Sequence, residues 1–105
     1  MEQKIIDVID RFKSLLSDKI SVSDIVVYGS RVRGDSSEHS DLDVLVVVDI
    51  SNHYIDNIIS DCAWEAGFPD DIVVVPIVVT VGALKESPIR ESSFIKAVYR
   101  EGILV

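Results

Sequence analysis

Cysteine occurs once in this chain of 105 residues, as Cys62, so no internal disulfide can form. Basic residues are also scarce, with ten Lys and Arg against eighteen Asp and Glu and a formal net charge of −8. That balance excludes a general nucleic-acid binder, which needs a basic stripe to displace counterions from phosphates. It does not exclude a nucleotide, because Mg²⁺ and a few local arginines offset the charge of a triphosphate. No apolar run reaches transmembrane length, and the opening MEQKIIDVIDRF lacks the basic-then-apolar order of a signal peptide. Cytoplasmic residence without membrane contact is the expectation. There is no internal repeat, low-complexity tract or domain boundary, so the expectation is one domain over 1–105.

Hydrophobic residues, in contrast, make up 48% of the chain, enough for a real core. Residues 2–17 read as an amphipathic helix, with Ile5, Ile9, Phe12 and Leu16 at helical spacing and Val8 and Leu15 widening the stripe. Ser21 to Asp24 reads as a polar connector. A strand over about 25–28 follows, and a second over about 41–49, whose Val44–Val48 run is apolar on both faces as in a central strand. Between them, Arg31 to Gly34 reads as the start of a short helix and Asp35 to Ser40 as a solvated loop holding Glu38 and His39. Ser51-Asn52 is a candidate cap for a helix over 53–66, with Ile55, Ile58, Ile59, Cys62 and Ala66 on one stripe. Cys62 then reads as a small buried hydrophobe. Trp64 lies off that stripe, where it packs at an edge or meets a partner. Gly67 ends the helix, with Pro69 beyond.

Ile72 to Thr80 is a β-branched run interrupted by Pro76, which lacks the N–H a ladder needs, so this strand has a free side or a bulge there. Gly82 opens a connector. Ser87 and Pro88 fit the cap and first turn of a helix over 88–101, closed by Gly102. The apolar tail Ile103-Leu104-Val105 completes an edge strand or meets a partner. This order predicts an α/β fold in which helices cover a three- or four-stranded mixed sheet.

The chemistry concentrates in Ile25 to Asp49, IVVYGSRVRGDSSEHSDLDVLVVVD. Strand alternation puts Asp41 and Asp43 on one face with Leu42 opposite. Two carboxylates there repel each other unless a cation joins them. Mg²⁺ suits them, since it takes oxygen ligands and is typically held by one or two carboxylates plus substrate phosphates. Gly29-Ser30, at the end of the preceding strand, offers backbone approach, N–H groups and a hydroxyl to a phosphate.

Gly29-Ser30, ten intervening residues and Asp41-Leu42-Asp43 resemble the signature of the DNA polymerase beta-like nucleotidyltransferase superfamily. Within it, the chain is similar to the minimal nucleotidyltransferases, and Gly34 falls where that family often has a second glycine. The resemblance implies the polymerase beta palm-like fold. It also implies transfer of a nucleoside monophosphate, AMP from ATP, with Gly29, Ser30, Arg31 and Arg33 at the nucleotide. Asp41 and Asp43 would hold one or two Mg²⁺ ions, which position the triphosphate and activate an acceptor hydroxyl for in-line attack. Superfamily members draw a third carboxylate from a neighbouring strand, and Asp71 is the candidate for catalysis and metal binding. Asp70 is its alternative. If Val73 occupies that position instead, the third carboxylate is missing.

Minimal members commonly act as antitoxins that modify a helical HEPN-type toxin, typically on a tyrosine. The resemblance therefore implies a partner protein as acceptor, with a homo-oligomer also open. Two other readings remain: a non-catalytic module that neutralises a partner by occlusion, and transfer to a small molecule.

Overall fold

The computed structural model describes residues 1–34, 41–86 and 88–105. The loop expected over Asp35 to Ser40, including His39, and the capping role given to Ser87 lie outside the described residues. The elements run α1 (Gln3–Ser17), β1 (Val22–Tyr28), α2 (Ser30–Arg33), β2 (Leu42–Val48), α3 (His53–Gly67), β3 (Val74–Thr80), α4 (Val81–Leu84), α5 (Ser93–Glu101) and β4 (Ile103–Leu104), with a 3-10 turn at Phe68–Asp70. The strands form one mixed sheet in the order β3-β2-β1-β4. β1 is antiparallel to β2 and β4, and β3 is parallel to β2.

Alternation divides the sheet into two faces. Leu42, Val44, Val46 and Val48 of β2, with Ile25 and Val27 of β1, pack on Ile5, Val8, Ile9, Phe12 and Leu16 of α1 and on Ile59, Cys62, Ala63 and Ala66 of α3. The stripes read from the sequence are therefore the buried ones, and Cys62 is fully buried among them. The other face is less covered. Val26, Leu45 and Val47 meet Val98 and Ile95 of α5, and Val79, Val81 and Leu84 fill in from β3 and α4. Ile77 of β3, on this same face by its register with Leu45, stays 39% exposed.

Asn52 caps α3, its Oδ1 accepting from the Ile55 N–H at 2.8 Å. Pro76 sits on an edge strand, as its missing N–H requires. The Leu42 N–H donates to the Val73 carbonyl at 2.9 Å, and with the parallel register this turns the odd-numbered residues of β3 towards β2. Pro76 therefore faces the open edge, where no ladder bond is lost. Ile103-Leu104 completes the opposite edge as β4.

Several boundaries depart from the sequence reading, among them β3, which begins at Val74 rather than Ile72. β1 begins at Val22 rather than Ile25, because a bulge between Val22 and Asp24 lets this polar stretch stay paired with β2. The helix expected over 88–101 begins at Ser93, capped by Ser92, whose Oγ accepts from the Ile95 N–H at 3.4 Å. Gly82 lies inside α4, not in a connector. Among the described residues no helix is long and apolar enough to cross a membrane.

Candidate active site

The end of β1, the starts of β2 and β3 and the short α2 meet at one end of the sheet. β1 stops at Tyr28 because Gly29 adopts φ 88°, ψ −163°, a conformation open essentially to glycine. Its carbonyl then accepts from the N–H groups of Val32 and Arg33, both at 3.1 Å, which winds Ser30–Arg33 into a single helical turn. Gly34, at φ 84°, closes that turn. The pair Gly29-Ser30 thus forms the hinge between a strand and a helix start, with Ser30 half-buried.

Asp43 stands beside this hinge. A Cβ added to Gly29 would overlap Asp43 Oδ2 and lie 3.3 Å from its Cγ. In the ladder Asp43 is flanked by Tyr28 on β1 and Val75 on β3, so all three share the less covered face. Asp43 is half-buried and Asp41 exposed. Burial pushes the Asp43 carboxyl above its ordinary range, the Asp41 charge adds to that, and Arg33 partly opposes it. Burial and then the Asp43 charge likewise raise the Tyr28 phenol. The Tyr28 ring meets Phe94 of α5 edge-on, centroids 5.6 Å apart at 85°. Tyr28 was not singled out in the sequence. Its place as the last residue of β1, one before Gly29, was the available signal.

The arginines part company. Arg31 is turned inward, its side chain 1% exposed and its guanidinium 3.6 Å from Glu2 beside the start of α1. Arg33 is exposed and acts on Asp43 through its charge. Asp71 is not gathered with the pair. It occupies a left-handed position, φ 55°, that caps the 3-10 turn, three residues before β3 begins, and it is exposed. Among the described residues no three His, Cys, Asp or Glu side chains surround one point. Asp70 is bound structurally: Arg11 pairs with it while donating through Nε to the Ala66 carbonyl at 3.0 Å. The place beside Asp43 on the same face of β3 belongs to a valine. Val75 is in register with Asp43, and Val73 lies just before β3.

The family model of the nucleotidyltransferase domain matches residues 7–105. The chain belongs to this family. A nucleotidyltransferase assignment accounts for the hinge glycine pressed on a strand carboxylate, since a triphosphate needs both bare backbone and anionic metal ligands. A relative in Methanocaldococcus jannaschii, named "Putative protein adenylyltransferase MJ1379", is 36% identical over 47 residues, 45% of this chain and 47% of that protein. The match thus spans about half the length of the relative. Two solved structures share the fold. One is a toxin-antitoxin crystal structure with AMP-PNP, with a TM-score of 0.58 at 20% identity, over 90% of this chain and 69% of that one. The other is a "putative nucleotidyltransferase" from Sulfolobus solfataricus, with a TM-score of 0.54 at 21% identity, over 99% of this chain and 86% of that one.

The residues present fit a divalent cation. Asp41 and Asp43 are hard oxygen donors on one strand face, and a bound cation opposes both the burial and the Asp41 repulsion that raise the Asp43 carboxyl. With two protein carboxylates, the remaining ligands would come from phosphate oxygens and water, the usual pattern for Mg²⁺.

Proposed function

We propose that this nucleotidyltransferase domain, taken as one unit over 1–105, transfers AMP from ATP to a hydroxyl of a partner protein and releases pyrophosphate. The observation that carries the proposal is the contact of Gly29 with Asp43. It joins a backbone surface that a phosphate can approach to the half-buried member of a carboxylate pair. The name of the M. jannaschii relative and the AMP-PNP in the toxin-antitoxin neighbour support adenylyl transfer to protein. On this reading the domain acts in the cytoplasm as an antitoxin, and the acceptor is a HEPN-type toxin.

Gly29 admits the triphosphate, and the Ser30 hydroxyl donates to its oxygens. Arg33 neutralises charge at the rim, while Arg31 holds α2 against α1 through Glu2. Asp41 and Asp43 would hold Mg²⁺, which would offset triphosphate charge and lower the pKa of the acceptor hydroxyl. The acceptor oxygen attacks the α-phosphorus, the bond to the bridging oxygen breaks, pyrophosphate departs and the acceptor proton passes to water. Positioning and electrostatics supply most of the rate, so few protein groups are needed.

A second reading is a module that binds nucleotide and occludes a partner without transfer. Val75, in register with Asp43, favours it. The experiment is label transfer from α-phosphate-labelled ATP to the co-purified partner, with Mg²⁺, for wild type, Asp43→Asn and Asp71→Asn. Label that requires Asp43 supports transfer, and its loss in Asp71→Asn would bring Asp71 into the site. ATP binding with no label under any condition leaves the occlusion reading.

A further inference from the structure

A groove of about 300 Å³ runs between α3 and the open edge of β3. Trp64 and Phe68 form one wall, their rings stacked with centroids 4.7 Å apart at 21°. They are 67% and 66% exposed, and Val73 beside them is 62% exposed. Side chains this large, grouped and left in water mark an interaction site.

Two observations decide what covers it. The first is charge. Asp71 lies in the groove wall, no Lys or Arg does, and the chain as a whole carries a net charge of −8. Arg11 engages the neighbouring Asp70, whereas Asp71 pairs with no cation among the described residues. The second is Pro76, which turns its N–H-less nitrogen to the groove side of β3 and interrupts the ladder an added strand would need. The occupant must therefore bind through side chains, and it must be cationic. Guanidinium is planar and weakly hydrated and stacks on indole and phenyl faces, whereas an ammonium holds its water. A second copy of this chain would bring two bodies of net charge −8 together.

We propose that this groove docks an arginine-bearing segment of a partner protein. Resting on the transferase reading above, that partner is the acceptor. Val73 lines the groove, and its carbonyl is bonded to the N–H of Leu42, the residue between Asp41 and Asp43. A segment seated there ends at the edge of the candidate active site.

The test uses two fluorescein-labelled amphipathic peptides of equal length and charge, one with arginine and one with lysine at every cationic position. Affinities are read by anisotropy at an ionic strength of about 0.15 M. Trp64, the single tryptophan, gives a second readout through its own emission. The expected result is about tenfold tighter binding of the arginine peptide, with a shift in Trp64 emission. The preference should vanish in Trp64→Leu/Phe68→Leu, and the affinity should fall in Asp71→Asn, with circular dichroism unchanged. Equal binding of both peptides, unmoved by the aromatic substitutions, would overturn the proposal as plain charge attraction. A concentration-dependent dimer abolished by Trp64→Leu would overturn it in favour of a second copy. Binding of ATP·Mg²⁺, measured without peptide in wild type and Asp43→Asn, checks the transferase reading separately. Docking without ATP binding overturns the acceptor assignment alone.

Discussion

Gly29, just past the end of β1, and Asp43, fourteen residues on in the antiparallel β2, lie so close that no side chain can stand at position 29 without displacing the carboxylate. Gly29→Ala meets a double obstacle, a backbone at φ 88° and a Cβ placed on Asp43 Oδ2. The substitution is expected to lower stability by about 1–3 kcal/mol and to weaken ATP·Mg²⁺ binding beyond detection by calorimetry. Retained binding with only a stability loss would separate the turn from the site.

Asp43→Asn is expected to abolish metal-dependent nucleotide binding while stabilising the metal-free protein. The Asp43 pKa is raised in the folded state by burial and by Asp41, so its favourable contribution is complete below the unfolded-state pKa and lost as pH rises through the folded one. At pH 7 the ionised side chain therefore opposes folding. With solvent screening at this half-exposed site, a gain of about 0.5 kcal/mol is expected from the substitution. Thermal unfolding in chelator at pH 7 and pH 4 checks this, and the gain should shrink at pH 4.

Burial, and then the phenol's hydrogen bond donated to Asp24 Oδ2 at 3.1 Å, pushes the Tyr99 pKa up to about 12. This contribution to stability is intact below the unfolded-state value of about 10 and is lost as pH rises through about 12. Absorbance titration of tyrosinate should show a late step that is missing in Tyr99→Phe. A wild-type curve with every tyrosine ionised near pH 10 would contradict the bond.

Cys62 lies wholly within the core between α3 and the sheet, and burial raises its thiol pKa despite Lys19 Nζ at 3.9 Å. Modification by a disulfide reagent at pH 8 is expected to run at least about a hundredfold slower in the native protein than in denaturant. Fast modification of the folded protein would mean that the packing between α3 and α1 opens readily.

Much of this architecture was legible in the chain because the signals are local. The stripe Ile5, Ile9, Phe12 and Leu16 marks a helix face wherever that helix packs, and Asn52 declares the start of α3 by its own hydrogen bond. Pro76 announced a strand with a free side or a bulge, and β3 is an edge. Ser21 to Asp24 looked like a connector because its polarity hides a pairing that exists only when β2 lies alongside. Pro88 and Ser87 suggested a helix start, yet Ser92 supplies the cap of α5. Several residues there can begin a helix, and packing of Val98 on Val26 and Leu45 selects among them.

The sequence by itself determined the periodicities, the hinge conformation that only glycine at 29 admits, and the common face of Asp41 and Asp43. These follow from bond geometry within a few residues. The tertiary structure alone decided that Asp43 lies against Gly29, that Val75 rather than Asp71 stands beside it, and that Arg31 turns inward while Trp64 and Phe68 stay in water. Those outcomes depend on strand register, which is set by how the two faces bury their apolar rows. A slip of one residue would exchange every face, and no local pattern in a single strand records its neighbour's position.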